Sequence, residues 1–502
     1  MKTALYWFLG IAGVEVLSRL VIFHPSINGF IALTIGAIVL ALAIKRPSIA
    51  LAVLSIEYLI GSHGSLFKFL GDAQNHGSFS IREILFAAFI IGWFIWSLRH
   101  KTWKGWGEIM RTRKIYFVLA AVVVYGVVLG FVRGNRQFLF ADANAWGAWL
   151  LLLPILDIIS FEKQRWLSII TPAITAALIW LPIKTLGLLY IFTHHFTTIQ
   201  EPLYLWVRRT GIGEITAIGG GAYRIFFQSH IYGVFGVIAL LMWSAFRSTQ
   251  STEHTSPQPS LFESEPQSRG PSQGEGVFRF LLFVSVAEIL ASLSRSFWLG
   301  LGIGWLIGLL FLLRRKRDRV WQFIRTTLIA GILGMGLVFS ITLFPWPTVS
   351  SSDPFGMWEN RVNLGESAVL SRWQLLPILW EKIKQHPITG SGFGATVTYK
   401  SLDPRIVKTG GMATTYAFEW GWLEHWVKFG LIGIPIMLAL LISLIRRTWR
   451  SSQPDWIKWT LVSSMIALAA THFFSPYLNH PLGIFALIMA ESTLLLFDKN
   501  KL

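Results

Sequence analysis

The chain has 502 residues, 53% apolar and only 14% charged, where soluble domains carry about 25% charged residues. That balance excludes a single soluble globule and excludes disorder. With a mean hydropathy of +0.55 and apolar runs of roughly 17 to 25 residues, the length that crosses a bilayer as a helix, the sequence reads as an all-α polytopic membrane protein. Lys and Arg total 44 against 26 Asp and Glu, a formal charge of +18. In a soluble chain this excess would suggest nucleic acid, whereas here it is expected to be topological, through cytoplasmic Lys and Arg. No cysteine is present, which excludes disulfides, thiolate nucleophiles and Cys-ligated metals.

Apolar spans are expected near 4–23, 27–44, 48–62, 83–98, 115–132, 145–161 and 166–192. Others follow near 225–246, 277–293, 297–313, 327–344, 426–445, 457–475 and 481–497, about fourteen in all. The first lies behind Met1-Lys2, lacks a small-residue cleavage site and reads as a retained helix rather than a signal peptide. Many of the 24 tryptophans, such as Trp93, Trp96, Trp103, Trp106, Trp146 and Trp149, stand at the ends of these runs, where the bilayer interface favours them.

The basic clusters orient the spans. Lys45-Arg46, then Arg99 to Lys114, Lys163 and Arg165, Arg314 to Arg319, Arg446 to Arg450, and Lys499 and Lys501 all fall on one side of a fourteen-span map. That side is expected to be cytoplasmic, with both termini, in the cytoplasmic membrane. Residues 247–276 are rich in Ser, Pro, Gln, Glu and Gly and read as a disordered cytoplasmic linker. The linker divides the chain into an N-terminal transmembrane bundle, 1–246, and a C-terminal transmembrane part, 277–502. No internal repeat is evident, which weighs against an inverted-repeat transporter.

The outer loops should be poor in arginine, yet Arg133, Arg136, Arg208, Arg209, Arg224, Arg295, Arg361, Arg372 and Arg405 fall there, with Lys400 and Lys408. Arg295 is the sharpest instance. It sits in a tight turn between Leu290-Ala291-Ser292-Leu293 and Phe297-Trp298-Leu299, where a guanidinium is costly unless paired or hydrated. Snorkelling to the interface is the plain reading of any one such residue. Several together point to an outward-facing anion, and a lipid-linked diphosphate is the anion expected at that depth, held by bidentate Arg forks.

Residues 345–424 form the one large outer segment. A helix is expected from about Glu366 to Gln385, because Val369, Trp373, Leu376, Trp380 and Ile383 recur at spacings of four and three as an apolar stripe. Pro377 should kink it. The stripe alone is equally well explained by packing without chemistry. His386-Pro387 ends the helix, and Gly390, Gly392 and Gly394 then permit a tight backbone path and close approach to a ligand. His386 reads as a helix-end residue. Glu419 and Glu424 enter the next span with His425, and both carboxylates have a plain reading as helix-start acids.

Taken in order, three segments are similar to those of the O-antigen ligase and O-antigen polymerase superfamily of bacterial membrane glycosyltransferases, over roughly 277–445. Ser294-Arg295-Ser296-Phe297-Trp298 resembles the family's Ser-Arg-x-x-Trp. Arg372-Trp373 with His386-Pro387-x-x-Gly390-x-Gly392-x-Gly394 resembles its loop helix and glycine turn. Trp422-Leu423 with Gly430-Leu431-Ile432-Gly433 resembles its last segment. Counting back from Gly430, the family's His position, thought to be the acceptor base in ligases, falls on Glu419 and not on His425. A carboxylate partly withdrawn from water suits that role.

The resemblance implies transfer of a saccharide from a polyprenyl-diphosphate donor to a hydroxyl on a glycan or lipid acceptor, on the outer face of the cytoplasmic membrane. Arg295 and Arg372 would hold the donor diphosphate and stabilise its developing charge, Arg224 is the next candidate for the same anion, and Glu419 would orient or deprotonate the acceptor. No cofactor is expected. No outer Asp/Glu/His cluster has metal-ligand spacing, and arginines can take a metal's place, so the expected chemistry is metal-independent. Two rivals remain at this stage. A flippase for lipid-linked oligosaccharide also needs many spans and central cations. A cell-wall glycan polymerase of the shape–elongation–division type would use an outer acid such as Glu366 or Asp353.

Overall fold

The computed structural model describes residues 2–69, 79–219, 221–247, 273–347, 367–401, 407 and 410–497. Residues 248–272 of the expected linker, with Asp353, Arg361, Glu366, Arg405 and Lys408, lie outside the described residues, as does the side chain of Val369. The fold is all-α. Its described strands form three two-stranded antiparallel hairpins, and the helices run as successive antiparallel legs. Residues 22–24, 61–69, 194–219, 293–294, 386–401, 410–420 and 475–480 gather at one end, here the loop end. Lys45, Arg99, Lys114, Arg315 and Arg450 stand at or near the far ends of their helices from these segments, here the basic end.

Among the described residues nine helices are long and apolar enough to cross a membrane, and three shorter apolar ones join them: Pro47–Ile60, His230–Phe246 and Pro481–Leu496. The expected fourteen are not reached on this count. One reason is the stretch Arg136–Thr193, which counts once although two spans, 145–161 and 166–192, are expected inside it. There Asn144–Leu151 forms a 3-10 turn and Leu152–Thr193 a helix broken at Glu162, with φ −122 and ψ 37. Glu162 is a polar corner: its carboxylate accepts from Ser48 Oγ and meets Arg165 at 3.3 Å.

The expected span 426–445 is broken too. Helix Gly421–Phe429 stops at Gly430, whose φ of 68 and ψ of −155 no helix allows, and helix Gly433–Arg450 resumes beyond a short 3-10 turn. The break receives the glycine turn. Leu431 N donates to Ile388 O at 3.2 Å, Ser391 N to Val427 O at 2.7 Å and Gly392 N to Lys428 O at 3.0 Å. Further along, Phe393 N donates to Gly126 O at 3.0 Å and Asn135 N to Gly394 O at 2.9 Å. A segment of the long loop is thereby stitched between an N-terminal leg, Lys114–Arg133, and a C-terminal one.

Beneath the stitch Lys428 lies buried between Asp142 and Glu424, bonded to both. Asp142 Oδ2 also accepts from Gly394 N at 2.7 Å, and Glu424 Oε2 from Phe418 N at 3.3 Å. The triad pins the glycine turn on one side and the approach to Glu419 on the other. A buried ion cluster stands only while each charge keeps its partner. We therefore expect Lys428→Met to destabilise the detergent-solubilised protein by about 3–5 kcal/mol, read as a large drop in melting temperature. Adding Asp142→Asn and Glu424→Gln should recover much of it. A single variant that melts like the parent would show that the triad does not hold this region.

Candidate functional site

The loop helix spans Ser367–Gln385 and runs through Pro377. Its buried face is Leu375, Leu379 and Ile383, seated on Ala395, Val397, Phe418, Trp420 and Val427. The expected stripe is therefore corrected by about a quarter turn. Ile383 belongs to it and Leu376 packs at its edge, but Trp373 and Trp380 are 55% and 45% exposed. Leu375, Leu379 and Ile383, at i, i+4 and i+8, fill the seat, while the two bulkier indoles flank it. They meet Trp420 and Trp426 edge-on at 5.4 and 5.8 Å, and amphipathic rings in such a position suit a membrane interface.

The seating of this helix brings Arg372 to Glu419. Arg372 Nε donates to Glu419 Oε2, and Trp420 Nε1 donates to Arg372 O at 2.9 Å. Neither side chain makes another recorded bond among the described residues. Glu419 is not the partly desolvated carboxylate expected: its side chain is 52% exposed and that of Arg372 28%. Trp420 in turn packs on Phe473 and Phe474 at 5.9 and 5.4 Å, the end of helix Asp455–Phe474.

Arg295 opens helix Arg295–Arg315 directly after Ser294, half-buried. The turn before it is constrained, since Leu293 is buried with φ 46, a left-handed conformation that a leucine rarely adopts. Ser296 accepts from Ser475 Oγ at 3.0 Å through its hydroxyl and from Thr471 Oγ1 at 3.3 Å through its carbonyl. This places the Arg295 turn on the same helix end, 471–475, that carries Trp420. Arg224 reaches the turn from strand Ala222–Phe227. Its Nε donates to Ser292 O at 3.0 Å, its guanidinium lies 4.5 Å over the Phe226 ring, and Phe226 stacks on Phe297 at 5.6 Å. Arg295 and Arg224 thus border one turn, and that turn shares the helix end 471–475 with Trp420, the neighbour of Glu419.

Gly390, Gly392 and Gly394 have φ of 76, 78 and 73, so the expected tight path is there. The close approach they permit is to the protein itself. A Cβ on Gly390 would meet Gly430 N at 2.5 Å, one on Gly392 the backbone of Gly130, and one on Gly394 Asn135 O at 2.6 Å. These buried glycines dock the loop. Glu424 does stand in the first turn of helix Gly421–Phe429, as a helix-start acid, and it is also buried in the triad. His425 is fully buried beside His472, ring centroids 5.0 Å apart, and both its ring nitrogens lack partners among the described residues. Sequence reading missed Asp142 and Lys428. Only the i, i+4 spacing of Glu424 and Lys428 in an apolar helix hinted at them.

No group of three His, Cys, Asp or Glu among the described residues could hold a metal ion. Charge at the loop end comes largely from guanidinium groups, with the exposed carboxylates of Glu214 and Glu419 beside them among the described residues. Such a set can bind an anion and accept a proton next to it.

Residues 280–438, about a third of the chain, match the O-antigen ligase family. The matched stretch contains Arg295, Arg372, the three glycines and Glu419, and leaves Arg224 outside. No curated protein matches the chain. The O-antigen ligase domain at 280–438, in a chain with nine helices long and apolar enough to cross a membrane among its described residues, supports the O-antigen ligase superfamily.

Proposed function

We propose that this membrane protein, glycosyltransferase-like by its O-antigen ligase domain, transfers a saccharide from a polyprenyl-diphosphate donor to a hydroxyl acceptor on the outer face of the cytoplasmic membrane. The observation that carries the reading is the Arg372–Glu419 pair beside Trp420, which packs on the same helix end as the Arg295 turn that Arg224 also reaches. A flippase for the same lipid would use the cations but has no need of a carboxylate bonded to one of them.

The acceptor oxygen attacks the anomeric carbon as the bond to the diphosphate oxygen breaks. The diphosphate leaves with the electron pair, and the acceptor proton passes to Glu419. Arg295, Arg224 and Arg372 take up the charge that grows on the leaving group, in a setting where fixed donors need no reorganisation. Before the donor arrives, Arg372 is bonded to Glu419. An incoming diphosphate draws on the same guanidinium and loosens the carboxylate, so that donor binding readies the base.

Arg295→Ala and Arg372→Ala should each lower transfer by purified protein by about a hundred- to thousandfold, with the melting temperature kept. Glu419→Gln should cost about a hundredfold or more. The double variant Arg372→Glu/Glu419→Arg separates chemistry from scaffolding: it restores the ion pair and should stay inactive, because the anion-binding charge now sits in the wrong place. Recovered transfer in that double variant would reduce the pair to a structural tie.

The basic end is proposed to face the cytoplasm. Cysteines introduced at Met412 and Glu108, both exposed and at opposite ends, test this in a chain with no native cysteine. An impermeant thiol reagent should label Met412→Cys in intact cells and Glu108→Cys only after permeabilisation. The opposite pattern inverts the protein and refutes the outward-facing site.

A further inference from the structure

The turn after helix Pro47–Ile60 is held more firmly than a connection requires. Ser62 and Gly64 have φ of 50 and 81, a left-handed path that serine rarely takes and that persists only when its surroundings enforce it. Gly61 N donates to Glu57 O at 2.7 Å, and Arg82 N donates to Gly64 O at 3.2 Å. The Arg82 guanidinium is clamped to Glu57 at 2.6 and 3.0 Å. It fills the space beside Gly64, where an added Cβ would meet Nε at 2.8 Å. Ser62 itself is buried, and its Oγ accepts from Ser229 N at 3.4 Å. The result is that His63 is presented at the loop end, exposed between buried neighbours.

Three groups surround its ring. Gln228 Nε2 lies 3.0 Å from His63 Nε2, His480 stands edge-on at 5.8 Å, and Gly211 closes one side. Gln228 Oε1 is buried and has no partner among the described residues. As drawn, the amide donates to His63 Nε2 and leaves the ring proton on Nδ1. Turned over, it would leave the NH2 unsatisfied instead. Either way one amide atom is orphaned next to an exposed ring. The charge of Arg82 lowers the exposed His63, and burial with His63 and Arg82 pushes His480 well below its ordinary value. Both rings are neutral near pH 7.

This group adjoins the proposed donor site. Gln228 directly follows the strand of Arg224. Glu214, 3.8 Å from Arg224, also acts electrostatically on His63. Tyr477 donates its hydroxyl to Gln228 O at 2.7 Å and packs at 5.8 Å on Phe297, two residues from Arg295.

A neutral donor–acceptor set does not suit an anion, which calls for cations, nor an acyl chain, which would leave the amide unpaired. A hydroxyl both donates and accepts and satisfies either amide orientation. We propose that His63 and Gln228, backed by His480, form a hydroxyl-binding subsite for a sugar of the lipid-linked donor, beside the diphosphate at Arg224; this rests on the function proposed above.

The test is binding to the purified full chain of two probes, polyprenyl diphosphate with and without its saccharide. His63→Ala and Gln228→Ala should each weaken the saccharide-bearing lipid about three- to tenfold, as for one lost neutral hydrogen bond. They should leave the bare diphosphate lipid unchanged, which also controls for folding. Arg224→Ala should weaken both probes. Unchanged affinity of both His63→Ala and Gln228→Ala for the saccharide-bearing lipid, with Arg224→Ala still impaired, overturns the subsite and leaves the donor reading standing. Equal weakening of both probes by His63→Ala and Gln228→Ala also overturns it. If the parent protein binds neither probe, the functional reading itself fails.

Discussion

The buried bonds of Lys428 to Asp142 and Glu424 set the terms for the rest of the loop end. Through Gly394 N the triad holds the glycine turn, and through Phe418 N it holds the segment that ends in Glu419. The turn in turn fills the break at Gly430, and the seat for the loop helix lies on the same strip of residues, Ala395 to Val427. Three charges taken out of water are costly unless every one is matched. Here the matching partners come from both halves of the chain, so the loop's position is tied to the docking of those halves. Arg113, Tyr116 and Arg447 on Glu491 make a comparable tie at the basic end.

The arginines on the side that charge statistics disfavour separate into kinds. Arg133 donates to Thr389 Oγ1 at 2.8 Å and to Gly390 O at 3.0 Å, and so braces the glycine turn. Arg208 faces Glu214 at 3.6 Å, and Arg209 lies over the Phe23 ring at 4.8 Å. Arg224 and Arg295 border the turn that rests on residues 471–475, and Arg372 is tied through its carbonyl to Trp420, which packs on the same helix end. A surplus of cations was a sound signal of an anion, but only packing tells a brace from a binder.

Much of the architecture was legible because its causes are local. Apolar runs, the basic clusters, the loop helix ending at Gln385 and the glycine turn all follow from residues near one another in the chain. The corner at Glu162 falls in the gap expected between 161 and 166, whereas Gly430 breaks the expected span 426–445 for a reason that is not local, the entry of residues 388–392. The same holds for the triad, whose members lie 286 and four residues apart. Arg372 and Glu419 could each be named from the sequence, but not that they are bonded. The apolar stripe misled because tryptophan counts as hydrophobic by composition, while in this helix the leucines take the deep positions.

The resting bond between Arg372 and Glu419 has a consequence for economy of substrate. Water is smaller and far more abundant than any saccharide acceptor, and an unoccupied carboxylate near a bound donor would activate it readily. A carboxylate held by a guanidinium has its basic oxygen already engaged. On the proposed reading the donor itself frees that oxygen, so water can compete only in the interval between donor arrival and acceptor docking beside the loop helix, and a short interval is what limits wasteful hydrolysis.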